Sequence, residues 1–203
     1  MSADKVIPEH NEGIQTNTES SIELPSEKEA KDFYETVKHR LLQVSEWHQY
    51  SGKGTASFQL TDENGKTVNH SPQKGNYFKI DIPGPGNLSG EGKDWVRVEA
   101  IEESEDSLGI RVRPAPSPVN QRKDVAHFFS ENTTSTFLAK REGKKVIAGV
   151  YGRNEKPNTN TETVIDKIRN TAIAAGAISG FSKLQWKSLV NGLVKKDCPG
   201  KLL

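Results

Sequence analysis

Residues 94–114, DWVRVEAIEESEDSLGIRVRP, contain the pattern that decides the fold class. Apolar and polar side chains alternate along DWVRVEAIEE, so Val96, Val98 and Ala100 are expected on one face of a strand. LGIRVRP alternates in the same way, and the turn residues SEDS lie between the two runs. The stretch therefore predicts an antiparallel hairpin, with strands at 94–103 and 108–114.

Further strand signals flank this hairpin, and no helical pattern separates them. They are TASFQLT (55–61), YFKIDI (77–82), VAHFFS (125–130), TSTFLAKR (134–141) and KVIAGVYG (145–152). Turn signals such as Asn64-Gly65 and Glu142-Gly143 lie between the runs. Strands that follow one another without crossover helices indicate an antiparallel meander rather than βαβ units.

A short strand and a helix precede the meander. SSIEL (20–24) predicts the strand, and Ser26 with Glu29 forms a capping box that starts the helix. Apolar residues then recur at helical spacing and continue towards Trp47. These residues are Phe33, Val37, Leu41 and Val44.

Helical patterns return after the meander. Ile165, Ile168, Ala172 and Ala175 share one helical face, and Gly180 can end that helix in a left-handed cap. A second capping box, Ser182 with Gln185, opens a last helix. Its apolar stripe consists of Trp186, Leu189, Val190 and Leu193.

These elements predict an α+β fold with an antiparallel β-sheet of six to eight strands and C-terminal helices. Residues 1–19 are polar and without period, which predicts a disordered N-terminal tail. We expect a single domain at 20–196 and a C-terminal tail at 197–203.

Composition narrows the class of protein. A formal net charge of +1 argues against a nucleic-acid partner bound through a bulk basic field. The single cysteine excludes a disulfide within the chain and favours a reducing, cytoplasmic location. No apolar run reaches the roughly 20 residues that a membrane span needs. We expect no cofactor, and the histidine spacing predicts no metal site.

The order of elements resembles the START-domain and birch-pollen-allergen superfamily of helix-grip proteins. The resemblance rests on SIELPSEKEAKDFYETV for the first strand and helix, on KGNYFKIDI for a Gly-x-x-Phe strand entry, and on the helices after Thr161. It covers residues 20–196, with one strand signal more than the family has. The resemblance implies a helix-grip-like fold, in which a curved antiparallel β-sheet packs on the C-terminal helices. It also implies a cavity between sheet and helix that accepts a small apolar or amphipathic molecule.

The glycine-rich stretch DIPGPGNLSGEGKDW, residues 81–95, is a candidate phosphate loop. A P-loop needs Ser or Thr after its Gly-Lys pair and then a helix. Here Asp94 follows Gly92 and Lys93, and the next residues form a strand pattern. The stretch therefore predicts a long, proline-stiffened connection between two strands, which serves either as a plain connection or as a gate over a cavity.

The polar face of the hairpin is the first candidate binding site. Trp95, Arg97 and Glu99 share it with Arg111 and Arg113 of the second strand. One interpretation is a solvated face with ordinary cross-strand charge pairs. The other is that the arginines bind an acidic ligand through bidentate guanidinium contacts.

Two further candidates lie later in the chain. His127, beside two phenylalanines, is expected to be buried and hydrogen-bonded rather than to act as a general base. YGRNEKPNTNT (151–161) is dense in polar side chains, which suit either a strand-to-helix turn or a site. In the second case Arg153 or Glu155 contacts the ligand.

We therefore expect a protein that binds a small apolar or amphipathic ligand in a sheet–helix cavity, and the arginines leave an acidic ligand open as one option. The predicted ligand-binding residues are Trp95, Arg97, Arg111, Arg113, His127, Arg153 and Glu155. A cyclase- or hydrolase-type enzyme on the same scaffold is one alternative. A non-catalytic protein-interaction module is another, and the last helix could then serve partner binding or a homodimer.

Overall fold

The computed structural model describes residues 3–52, 54–83, 87–160, 168–171 and 181–196. Seven strands form one curved, unclosed antiparallel sheet in the order β1-β7-β6-β5-β4-β3-β2. The strands are β1 Ile14–Glu23, β2 Ser57–Thr61, β3 Tyr77–Asp81, β4 Asp94–Ser104, β5 Ser107–Pro114, β6 Thr134–Glu142 and β7 Lys145–Glu155. The predicted α+β class with a curved antiparallel sheet is confirmed.

Helices lie against the concave face of this sheet. They are α1 Glu27–Leu42, α2 Trp47–Ser51 and α3 Phe181–Leu193, and residues 168–171 are also helical. Ser26 caps α1 as predicted, since its Oγ accepts from the Glu29 N–H at 3.2 Å. None of the helices in the described ranges is long and apolar enough to cross a membrane.

The hydrophobic core fills the space between the sheet and the helices. Trp47 lies at its centre, with ring centroids 5.2 Å from Phe58, 5.7 Å from Phe78 and 4.6 Å from Phe137. Inward residues from all seven strands or their ends and from α1 and α3 join this cluster. The core therefore fixes which face of each strand is concave.

The N-terminal segment differs from the expected disordered tail. β1 begins at Ile14, and Ala3–Val6 form a 3-10 turn on the convex face of the sheet. Ala3 and Val6 are both buried, and the Ala3 N–H donates to Ser107 Oγ at 2.7 Å. A few apolar side chains in a polar segment are enough to dock it where the sheet offers an apolar convex patch.

The segment 125–130 is a loop, and the predicted strand there is wrong. It has a single β-bridge, between Phe129 and Pro157. The Asn158 side-chain amide donates to the carbonyl oxygens of both Val125 and His127, at 2.9 and 3.0 Å. Carbonyls two residues apart in a strand are nearly 7 Å apart and could not both reach one nitrogen.

A β-bulge changes the predicted facing of the hairpin. The β4–β5 register shifts between Val98 and Ala100, so Glu99 is the extra residue. Val96 and Val98 face the core as predicted, but Ile101 and not Ala100 packs against it. The strict two-residue period therefore fails at Glu99.

Several expectations fall outside the described residues. They concern the C-terminal tail at 197–203 and the helical face built from Ile165, Ala172, Ala175 and Gly180.

Candidate functional site

One pocket lies between the concave face of the sheet and α3. Strands β2 to β6 contribute inward side chains to it, and the 125–130 loop and α3 complete it. Aromatic and aliphatic side chains dominate this lining. The described residues that line the pocket are Ala56, Phe58, Phe78, Ile80, Ile82, Val96, Val112, His127, Phe128, Phe129, Ser135, Phe137, Gln185 and Trp186.

The enclosed part of the pocket is small. It offers about 50 Å³ to water-sized molecules, which corresponds to roughly four waters. Phe128 and Trp186 are partly exposed members of the lining, so they lie at its solvent-facing side. An enclosed space of this size takes a small group, and a larger ligand would extend past Phe128 and Trp186.

His127 is a neutral polar group in this lining. The Phe129 N–H donates to its Nδ1 at 2.9 Å, so the ring proton is on Nε2. Burial, together with the positive charge of Arg169, lowers the pKa of His127 to about 3. Its ring stacks on Phe128 with centroids 4.3 Å apart. His127 is therefore uncharged at neutral pH and presents a hydrogen-bond donor.

Gln185 is the second polar group, and it is 3% exposed. Its Oε1 accepts from the Ala56 N–H at 2.8 Å, whereas its Nε2 has no hydrogen-bond partner in the described part of the chain. The predicted capping box with Ser182 is wrong, because α3 already begins at Phe181 and the Gln185 oxygen is bound to the β2 end of the sheet.

A buried polar network holds the wall that carries His127. Arg169 Nη2 pairs with Asp94 Oδ1 at 3.0 Å, and both side chains are almost wholly buried. The Asn170 amide donates to the Asn158 carbonyl at 3.0 Å, and Asn158 binds the 125–130 loop. These contacts connect the helical residues 168–171 to the loop and so fix the position of His127.

The residues of the hairpin's polar face lie on the opposite side of the sheet from the pocket. Arg111 and Arg113 both pair with Glu99, the first through a 3.1 Å Nε–Oε2 contact. Arg97 lies over the Tyr77 ring, with its guanidinium carbon 6.0 Å from the centroid. Trp95 is buried, and its indole Nε1 donates to the Gly90 carbonyl at 3.4 Å.

At Glu99 this convex face agrees with the first interpretation of the sequence, because both arginine contacts are cross-strand charge pairs. The structure thus brings three of the predicted charged residues together, but away from the apolar pocket. The alternation of residues predicts two faces and does not tell which of them is concave.

Arg153 and Glu155 lie at the end of β7, beside β1. Arg153 Nη1 donates to the Thr16 carbonyl at 3.1 Å and to Asn17 Oδ1 at 2.8 Å. Glu155 Oε1 accepts from Thr16 Oγ1 at 3.1 Å, and burial raises the pKa of Glu155 to about 7. Neither residue belongs to the described pocket lining, and both connect β7 to β1.

Within the glycine-rich stretch 81–95, Ile82 lines the pocket, whereas the residues from Asn87 to Trp95 are not among its described lining. Asn87 caps a 3-10 turn at Leu88–Gly90, and Ser89 Oγ donates to Asp124 Oδ2 at 2.6 Å. Strand β4 follows it, so the exclusion of a P-loop helix is confirmed. Residues 84–86 lie outside the described residues, and gating by them stays a prediction.

Sequence reasoning missed Gln185 and Ser135 as pocket residues. Ser135 lines the pocket from β6, and no hydrogen bond of its hydroxyl is found in the described ranges. The signal for such residues in the sequence is a polar side chain at an inward position of an otherwise apolar pattern. At Gln185 the spacing to Ser182 instead favours a capping box. No group of three or more His, Cys, Asp or Glu side chains in the described residues could hold a metal ion.

Comparison with known proteins finds similar folds at low sequence identity. Hypothetical protein jhp0584 from Helicobacter pylori is 14% identical, with a TM-score of 0.50 over 90% of this chain and 87% of that chain. Major latex-like protein 151 from Panax ginseng is 13% identical, with a TM-score of 0.38 over 82% of this chain and 96% of that chain.

BexL, a di-domain ARO/CYC protein of the BE-7585A biosynthetic pathway, is 13% identical, with a TM-score of 0.41. That match covers 93% of this chain and 51% of BexL. No family model matches the chain, and no curated protein sequence matches it. The similarity to the Helicobacter pylori protein concerns the fold alone.

Proposed function

We propose that this protein binds a small apolar molecule in the pocket between the concave sheet face and α3. The observation that carries the proposal is a pocket lined by aromatic and aliphatic side chains, in which the amide nitrogen of the buried Gln185 has no partner among the described residues. The resemblance of the element order to START-domain and birch-pollen-allergen proteins supports the same proposal.

Ser135→Leu tests this proposal, because it fills the pocket from β6. A ligand that binds only the native state raises the unfolding temperature as its concentration rises. We expect ethylbenzene near its solubility limit to raise the unfolding temperature of the unmodified protein and not that of Ser135→Leu. The measurement is differential scanning calorimetry of both proteins with and without ethylbenzene.

Ser57→Leu is the matched control. Ser57 is exposed on β2, and the next residue, Phe58, lines the pocket from the other face of the strand. This variant should respond to ethylbenzene as the unmodified protein does. No rise in any of the three proteins, or an equal rise in all three, would contradict binding in the pocket.

A second candidate function is catalysis in the same pocket, and His127 is the observation that favours it. A neutral imidazole that donates from Nε2 in a low-dielectric site can polarise a carbonyl group. Because its pKa lies near 3, His127 is a poor general base at neutral pH. Turnover of a carbonyl substrate that is lost in His127→Phe, with ethylbenzene binding retained, would favour this function over binding alone.

A further inference from the structure

We infer that the pocket selects a neutral ligand that carries a hydrogen-bond acceptor, such as a ketone or ether oxygen, within an apolar body. This inference rests on the proposed function and names the class of ligand for the same pocket. It comes from the three polar side chains of the described lining, His127, Ser135 and Gln185, each of which has an N–H or O–H that can donate.

Gln185 is the strongest of these groups because its orientation is fixed. The Ala56 N–H needs an acceptor, so the side-chain oxygen and not the nitrogen must face β2. The two N–H bonds of Nε2 then remain without an acceptor in the described residues, in a side chain that is 97% buried. A buried donor without a partner costs free energy, and a ligand acceptor would remove that cost.

His127 and Ser135 add donors to the same lining. With Nδ1 of His127 occupied by the Phe129 N–H, the ring can only donate, through Nε2. The Ser135 hydroxyl has no hydrogen bond in the described part of the chain and can donate to a ligand oxygen. An apolar molecule with one or two acceptor atoms therefore satisfies the pocket better than a hydrocarbon of the same shape.

The absence of charge in the lining argues for a neutral ligand. No ionised side chain belongs to the described residues that line the pocket, because His127 is uncharged. Arg169, whose charge is close enough to affect His127, is ion-paired with Asp94. A carboxylate would lose its hydration in this pocket without gaining a cation.

Three ligands of nearly equal shape test the inference. Acetophenone has a carbonyl oxygen, α-methylstyrene replaces that oxygen by a methylene group, and benzoate replaces the methyl ketone by a carboxylate. Each is titrated at pH 7 into the ¹⁵N-labelled full-length protein, and amide chemical shifts give the dissociation constants. We expect acetophenone to bind at least about tenfold more tightly than either of the other two.

Gln185→Glu is the variant that separates the effect of the Nε2 hydrogen-bond donor from the effect of pocket shape. It keeps an oxygen for the Ala56 N–H and, once the carboxyl is ionised, has no donor, so the preference for acetophenone over α-methylstyrene should disappear when the titration is repeated above the pKa of the buried carboxyl. Gln15→Glu, the same change at an exposed position on β1, should keep the preference. Ser135→Ala, a small change that preserves the pocket, should reduce it.

The outcomes distinguish this inference from the proposed function. Equal binding of acetophenone and α-methylstyrene would overturn the donor inference and leave the apolar pocket as a binding site. Tightest binding of benzoate would overturn the neutral class in favour of an acidic ligand. If none of the three binds, the proposed function itself is wrong.

Discussion

At the scale of single residues, His127 and Glu155 should make the stability of the fold depend on pH. Burial lowers the pKa of His127 and raises the pKa of Glu155. His127 binds protons in the unfolded chain near pH 6.5 and in the folded protein only near pH 3. Its stabilising contribution is therefore complete above pH 6.5 and is lost as the pH falls from 6.5 towards 3. One such group contributes a slope of about 1.4 kcal/mol per pH unit at most.

His127→Gln should remove this component of acid sensitivity. The glutamine oxygen can accept from the Phe129 N–H in place of Nδ1. We expect the unmodified protein to lose more unfolding free energy than the variant between pH 6 and pH 4, measured by urea unfolding. Parallel pH profiles of the two proteins would show that His127 is not a buried neutral group.

Glu155 should lower the unfolding free energy at alkaline pH. Its pKa is about 7 in the folded protein and near 4.5 in the unfolded chain, because burial disfavours its charged form. Its stabilising contribution is complete below pH 4.5 and is lost as the pH rises through 7. We expect Glu155→Gln to raise the unfolding free energy at pH 8, on the order of 1 kcal/mol, and to change it little at pH 5.

Glu12→Gln is the control for that prediction. The Glu12 carboxylate is exposed and pairs with Lys156, which lowers its pKa. We expect Glu12→Gln not to raise the unfolding free energy at pH 8. An equal effect of both variants at pH 8 would mean that burial of Glu155 is not the cause.

At the scale of elements, the contact between α2 and α3 sets the position of the helix that carries Gln185 and Trp186. Gly192 of α3 lies against α2, and a Cβ there would be 2.1 Å from the Tyr50 carbonyl oxygen. Because backbone atoms cannot yield locally, Gly192→Ala should displace α3 and cost about 1–3 kcal/mol of unfolding free energy. Urea unfolding measures this loss.

Asn191→Ala is the matched control, since the neighbouring residue is exposed on the same helix. Alanine favours a helix more than asparagine does, so this variant should be as stable as the unmodified protein or slightly more stable. Equal stability of Gly192→Ala and Asn191→Ala would contradict the close approach of the two helices.

Local sequence patterns predict most of the elements but not their exceptions. The capping box at Ser26 and the alternating strands depend on neighbouring residues, so the sequence alone reveals them. The 125–130 loop escapes such reasoning, because Asn158, far along the chain, binds the carbonyl oxygens that a strand would need. The bulge at Glu99 escapes it too, because the alternation of residues along 94–103 carries no signal for one extra residue.

At the scale of the whole molecule, the two faces of the curved sheet carry different features. The concave face holds the core and the pocket, and the convex face holds the arginine pairs and the N-terminal turn. The meander and the α+β class follow from the order of elements in the sequence. Which face of each strand is concave does not follow from that order, because it depends on how the sheet curves around α1 and α3.

The three tryptophans provide the most direct test of the account, since each reports on a different region. Trp186 lines the pocket, Trp95 is buried beneath the convex-face loops, and Trp47 is at the centre of the core. The measurement is the shift of the assigned indole N–H signals when acetophenone is added to the ¹⁵N-labelled protein. We predict that the Trp186 signal moves and the Trp95 signal does not; movement of Trp95 with Trp186 unchanged would contradict a ligand site on the concave face.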